Sequence, residues 1–332
     1  MSLMSECSTK LREQVWDAGR CSGCGGCVGV CPADALFFDA GEMHPSFSGY
    51  CKQETDGVSC NACNEACPRL DEIHSPENTV LRTIAAKRAT PISEQQSGGA
   101  VTYILGRALD AGLLDGVITM SVDRFSQAPI AVLVTSSGQL IESAGSRYNW
   151  NAPLLSVLKE ANEWRLSRIA VVGTPCIVSA ARLIAESSHD LVVPYGKMIR
   201  LIVGLFCTES FDHVAFIQTL AEKGVSHGDI TGMDVKGALL VTLRDGEQQK
   251  LPLAEFEKAI RPGCHVCTDF SAKDADISAG SVGTPAGWTS LLIRTKVGEQ
   301  FVQNACDEGL VVEENVDMEV IAKFEKEKRG RV

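Results

Sequence analysis

Cysteine is the residue type in this chain whose spacing most plainly specifies chemistry. Cys21, Cys24, Cys27 and Cys31 stand in the order C-x2-C-x2-C-x3-C, followed by Pro32. Bacterial ferredoxins use this run to hold 4Fe-4S clusters. Gly23, Gly25 and Gly26 let the backbone wrap closely and offer N–H groups to cluster sulfur, and Pro32 turns the chain away after the fourth thiolate. Cys51, Cys60, Cys63 and Cys67 repeat the run before Pro68, with the first gap widened to eight residues. In two-cluster ferredoxins the fourth cysteine of each run serves the other cluster. The expected quartets are therefore Cys21, Cys24, Cys27 and Cys67 for one cluster, and Cys31, Cys51, Cys60 and Cys63 for the other. A pair of structural zinc sites is the competing reading, since four thiolates also suit zinc. Interlocked triplets that close on Cys-Pro favour iron and sulfur.

Four further cysteines are scattered. Cys176 follows "AVVGTP" where a strand gives way to a helix, Cys207 ends the strand "LIVGLF", and Cys264 and Cys267 flank a turn opened by Pro262 and Gly263. The carboxyl ends of strands in α/β proteins commonly deliver ligand residues. Spacing alone leaves three readings open: a third iron-sulfur cluster gathered from separate loops, buried core cysteines beside half of a zinc site, or a nucleophilic Cys176 activated by a helix N-terminus. The last would want a histidine partner, and the six histidines (44, 74, 189, 213, 227 and 265) form no recognisable constellation. His265, lying between Cys264 and Cys267, reads as a neighbour of ligands or a surface residue rather than a base. Cys7 and Cys306 read as non-ligands.

The remaining sequence must position these thiols. The chain has 332 residues, of which 45% are apolar and 22% charged, with a formal net charge of −11. Such an acidic balance argues against nucleic acid as a partner. No run is long and apolar enough to span a bilayer and no export signal precedes the cysteines, so a cytoplasmic protein is expected, with thiolates holding metal rather than disulfides. After residue 75 hydrophobic periodicity takes over. Strands are predicted over 79–89, 115–122, 167–176 and 198–207, helices over 97–114, 152–164 and 177–186, and a hairpin over 130–144 around Ser-Ser-Gly. Short strands at 237–246 and 289–295 and two helices complete an α/β pattern. Neither G-x-G-x-x-G nor G-x4-G-K-[S/T] is present. Small-residue loops at Ser97–Gly99 and 277–283 could cradle a pyrophosphate, and a flavin is the kind of group that accepts two electrons and releases them singly.

"QSGGAVTYILGRALDAGLLDGVI", "GSRYNW", "VVGTPCIVSAAR", "GLFC" and "RPGCHVCTDFSAKDADISAGSVGTPAGWTSLLIRT" run in an order and spacing that resembles the family of coenzyme F420 hydrogenase/dehydrogenase beta subunits over nearly the whole chain. With its cysteine-rich N-terminus the chain looks like the family's longer members, the electron-input subunits of F420H2 dehydrogenases. The resemblance implies an α+β or α/β architecture: a bacterial-type 2×(4Fe-4S) ferredoxin domain over 1–75, then an α/β flavoprotein domain of non-Rossmann type over 76–332. It also implies FAD, coenzyme F420 stacked against it as substrate, and a third 4Fe-4S cluster on Cys176, Cys207, Cys264 and Cys267. Ser97, Gly98, Gly99, Thr174, Asp276, Gly280 and Gly283 fall on the family's cofactor motifs, and Arg147 and Lys273 would meet FAD phosphates or the anionic tail of F420. The implied activity is hydride transfer between F420H2 and FAD, for which no acid–base residue is required, followed by one-electron transfer to a ferredoxin or to a hydrogenase-, dehydrogenase- or heterodisulfide-reductase-type complex. The ferredoxin segment would then be a docking arm, with the protein cytoplasmic or peripheral to the cytoplasmic face of a membrane. Two alternatives stand beside this: a ferredoxin-dependent reductase of a tetrapyrrole or sulfite, and a flavin-free electron-transfer subunit.

Overall fold

The computed structural model describes residues 6–39, 41–70, 80–92, 95–123, 128–150 and 153–331. In the cysteine-rich segment β1 (Leu36–Phe37) and β2 (Ser46–Phe47) pair antiparallel, and short helices at Gly26–Gly29, Lys52–Asp56 and Ala62–Glu65 space the thiols. The rest of the chain contributes β3 (Arg82–Arg88), β4 (Gly116–Val122), β5 (Pro129–Val134), β6 (Asn149–Trp150), β7 (Ile169–Gly173), β8 (Ile199–Leu205), β9 (Phe211–Asp212), β10 (Ile230–Val235), β11 (Leu239–Leu243), β12 (Gln248–Leu251), β13 (Ile277–Gly280), β14 (Thr289–Ile293) and β15 (Leu310–Glu313). Eight of these form one mixed sheet in the order β15-β3-β14-β13-β8-β7-β4-β5. Its centre, β4-β7-β8-β13, is parallel, and the flanking pairs are antiparallel.

The parallel centre follows from near-continuous apolar runs. Such strands are covered on both faces. In β7, Ile169 and Val171 point into one hydrophobic cluster, Ala170 and Val172 into the other. Helix Pro175–Glu186, opened by a proline whose missing N–H a first turn does not need, covers the first face; helices Ala100–Asp110 and Lys296–Asp307 cover the second. A small antiparallel sheet, β10-β11-β12, packs a separate cluster around Phe211, Phe216 and Phe256.

Two expectations are corrected. Residues 130–144 do not form a hairpin: β5 ends at Val134 and helix Ser137–Glu142 follows. Ser136 caps it by accepting from Gln139 N–H at 3.3 Å, while Gln139 Oε1 accepts from Thr135 N–H at 3.0 Å. Gln139 reaches one residue further back than in a capping box, to Thr135 rather than to the N-cap Ser136, and this paired cap outcompetes the turn propensity of Ser-Ser-Gly. The small-residue stretch 277–283 is not a loop throughout, because residues 277–280 are the buried strand β13.

The expected boundary near residue 75 falls in 71–79, outside the described residues. No break in packing accompanies it. Cys24, Val30, Cys60, Ala62 and Ala66 share one hydrophobic cluster with Leu154, Leu155, Ile177 and Ala180. Leu155 N–H donates to Cys24 O at 2.9 Å, and a Cβ at Gly29 would stand 2.1 Å from Leu155 O. The glycine at 29 is therefore demanded by contact between the two parts of the chain.

Candidate functional site

Two cavities in the N-terminal segment are lined by the two expected quartets. One is bounded by Cys21, Cys24, Cys27 and Cys67, with Trp16, Phe38 and Arg69. The other is bounded by Cys31, Cys51, Cys60 and Cys63, with Leu36 and Phe47. Each fourth cysteine crosses to the other run. Gly23, at φ +69°, aims its N–H at Cys21 Sγ (3.4 Å), and Ala35 N–H reaches Cys31 Sγ at the same distance. Burial pushes the Cys24 thiol up to about 12 and Cys67 to about 11, and Cys27 well above the ordinary value. Such dry pockets reject a bare thiolate and suit one whose charge is shared with metal. Among the described residues no three His, Cys, Asp or Glu side chains gather tightly enough to grip one metal ion. The thiols instead line cavities.

The scattered cysteines also converge. β7 and β8 are adjacent and parallel. Cys176 is the second residue of the helix after β7, and Cys207 lies just beyond the end of β8. Helix Pro262–His265 brings Cys264 and then Cys267 to the same place. Cys207 is influenced electrostatically by Cys264, Cys176 and Cys267, and Cys264 by Cys176 and Cys267. Burial raises Cys207 and carries Cys264 up to about 11. Burial would raise Cys267 too, but Lys328 and Arg69 outweigh it and bring that thiol below its ordinary value. Thr174 Oγ1 lies 3.3 Å from Cys176 Sγ, and Ser210 N–H donates to Cys264 Sγ at 3.4 Å. His265 is exposed. Cys306 packs at the edge of the other face's cluster, away from the quartets, and the Cys7 side chain lies outside the described residues.

This third quartet borders the first. Cys176 influences both Cys21 and Cys24. A Cβ at Gly263 would stand 2.3 Å from Cys21 O, so the loop carrying Cys264 rests directly on the ferredoxin backbone. Arg69, two residues after Cys67, spans the junction by donating through Nη2 to Gly263 O at 3.2 Å. Sequence reasoning missed Arg69 and Lys328. An arginine behind Cys-Pro and a lysine in a charged terminal helix carry no signal of burial.

Of the residues proposed to meet FAD, Ser97, Gly98, Gly99, Thr174 and Gly280 lie at the same sheet end, whereas Asp276 precedes β13 at its amino end and is corrected to a structural role there. Register places the carboxyl ends of β3, β4, β7, β8 and β13 together, beside Cys176 and Cys207. Gly98 N–H donates to Thr289 Oγ1 at 3.1 Å, and Gly280 pairs with Ser290, the next residue of β14. Ser97 and Gly99 take positive φ (50° and 66°) just before helix Ala100–Asp110. Packing explains part of this glycine content: a Cβ at Gly98 would meet Ala86 O at 2.3 Å, one at Gly280 the Phe206 ring, and one at Gly283 Asp317 O. Asp276 is buried in an ion pair with Arg182 (3.0 Å) and also accepts from Ile202 N–H and Thr295 Oγ1. Lys273 is half-buried, its N–H bonded to Asp269. Arg147 donates to the carbonyls of Ser143, Ala144 and Gly145, and burial lowers its pKa. Hydrogen bonds through side chains and backbone then link Gln96, beside the 97–99 loop, to the third quartet. Gln96 donates to Asp234, which also accepts from Tyr148, and Ser210 joins Tyr148 O to Cys264.

Residues 83–159 match the N-terminal part, and residues 166–319 the C-terminal part, of the family described as coenzyme F420 hydrogenase/dehydrogenase, beta subunit; residues 15–37 match a 4Fe-4S binding domain. The coenzyme F420-dependent sulfite reductase of Methanocaldococcus jannaschii is 33% identical over 97% of this chain and 51% of its own length. A subunit of the F420H2 dehydrogenase of Methanosarcina mazei is 32% identical over 93% of this chain and 89% of its own. A chain of the F420-reducing [NiFe] hydrogenase complex from Methanosarcina barkeri superimposes with a TM-score of 0.72 at 30% identity, covering 78% of this chain and 92% of that one. With both halves of the family's domain present behind a ferredoxin motif, the chain belongs to the family of coenzyme F420 hydrogenase/dehydrogenase beta subunits.

Proposed function

We propose that this chain is an iron-sulfur flavoprotein that exchanges hydride between coenzyme F420 and FAD and relays single electrons through three 4Fe-4S clusters to a ferredoxin or a larger redox complex. The observation that carries this reading is the third quartet. Four thiols from three distant segments meet at the carboxyl ends of β7 and β8, against the first ferredoxin quartet. The relatives described above, with F420 in each name, support the identity of the hydride carrier.

FAD, when bound, supplies the conversion between two-electron and one-electron chemistry that thiolate-held clusters lack. The chain's own residues do the rest. Ser97, Gly98 and Gly99 present close backbone at the sheet end, Arg147, which has no carboxylate partner among the described residues, would meet an anionic group, and Cys176, Cys207, Cys264 and Cys267 would hold the cluster site. Hydride transfer between stacked rings needs alignment and exclusion of water more than proton transfer. The quartets then line up from Cys264 through Cys176 to Cys21 and Cys24. Among the described residues no helix is long and apolar enough to cross a membrane.

The test is anaerobic purification, cofactor extraction and mixing with F420H2. One FAD and about twelve irons per chain are expected, with bleaching of the flavin absorbance by F420H2. Flavin that stays oxidised with F420H2 but is reduced through added ferredoxin would overturn the F420 assignment. Absence of flavin would overturn the flavoprotein reading.

A further inference from the structure

Lys328 lies in the last turn of helix Met318–Arg329 and is 3% exposed, a depth lysine rarely reaches without a partner. Its Nζ donates to Cys207 O at 2.5 Å. Burial works against its charge, and the groups that favour it are Cys207, Cys267, Cys176 and Cys264. Arg69 approaches the same quartet from the opposite end of the sequence. Its Nη2 is bonded to Gly263 O, while its Nε is buried with no hydrogen-bond partner. Cys267, Cys176 and Cys264 favour its charge. Two cations, Lys328 buried and Arg69 partly buried, thus converge on one set of four thiols from distant parts of the chain.

We propose that Lys328 and Arg69 set the reduction potential of the cluster that Cys176, Cys207, Cys264 and Cys267 would hold, raising it above the value the thiolates alone would give. The inference rests on the third-cluster reading above. One-electron reduction adds a negative charge at the site. In a dry environment a fixed cation stabilises the more negative state, and the charge around a cluster is one of the factors that set its potential. Arg69 adds a second effect: placed between the first and third quartets, it favours an electron on either side and smooths the passage between them. Neither residue donates or accepts the electron.

The test is an EPR-monitored potentiometric titration of the full chain, with dithionite as reductant. The variants are Lys328→Met, Lys328→Arg and Arg69→Gln. Lys328→Met is expected to keep all its iron and to shift one cluster's midpoint downward, leaving the Cys31, Cys51, Cys60 and Cys63 signal in place; Lys328→Arg restores the wild-type value. Arg69→Gln shifts the same midpoint downward and the neighbouring cluster's by less. Should Lys328→Met lose iron, Arg69→Gln decides. If both lose iron, or if both keep it with unmoved midpoints, the two cations are structural and the proposal falls. A wild-type chain with about eight irons instead of about twelve would sink the third-cluster reading itself, an outcome distinct from unmoved midpoints at full iron.

Discussion

Cys176 and Cys267 are 91 positions apart in the sequence, yet they answer to one another through the same quartet. Replacing Cys176 with serine should therefore remove or convert one cluster of three. Iron would fall from about twelve toward about eight per chain, electron flow out of reduced flavin would slow, and reduction of flavin by F420H2 would stay near normal. Iron analysis and low-temperature EPR spectra matching wild type would refute the shared site. Gly99 tests the flavin loop. Its φ of +66° and the side-chain atoms of Arg88 and Gln95 about 2.9 Å from an added Cβ make Gly99→Leu strained but accommodated by movable groups. Flavin loss is expected from a chain that remains folded by circular dichroism; a full flavin complement in that variant would place the cofactor elsewhere. Gly98 is a poorer probe, since Ala86 O excludes a side chain there whatever binds. The two cavity-lining quartets of cysteines were legible because their members sit at short fixed intervals. Arg69 and Lys328 were not, because a cation's burial depends on what folds over it.

The last helix shows how an element can matter through a single side chain. Asp317 caps it by accepting from the N–H groups of Glu319 (3.0 Å) and Val320 (3.2 Å), and Ile321 anchors it against Phe270 and Leu292. Asp317→Ala should cost about 1 kcal/mol, within the usual range for a lost cap, read as a lower denaturant midpoint. A stability unchanged within error would mean that Ile321 and its neighbours hold the helix unaided. The helix was visible in the sequence as a charged amphipathic run. The segment after β5 was not, because Ser-Ser-Gly satisfies a turn pattern as well as a helix start and Gln139 decides between them. β13 was misread for a related reason: Ser, Ala and Gly look like loop composition until Phe206 is found against Gly280.

Across the molecule, a ferredoxin motif toward the N-terminus and a mixed α/β fold were both legible, the central strands following from apolar runs. The way the two join was hidden, since Leu154, Leu155 and Ala180 carry no mark of what covers them. A separable docking arm would leave the rest intact on removal, whereas the shared core argues otherwise. Deleting residues 1–75 uncovers fully buried leucines, each worth roughly 1.5–3 kcal/mol of burial, and takes Arg69 from the third quartet. The expected product is a poorly soluble chain that binds the dye ANS and holds little iron. A monomeric fragment with wild-type melting temperature would show that the body is self-sufficient.

The seat of Cys24 on Leu155 also has a consequence for synthesis. The ferredoxin cysteines leave the ribosome while their cover has yet to be translated, and Lys328 follows later still. At about 5–20 residues per second, the wait for Leu155 is on the order of ten seconds, with reactive thiols in water throughout. A cluster loaded before Leu155 seats on Cys24 would stand open to solvent, so iron delivery is expected to follow translation of that cover.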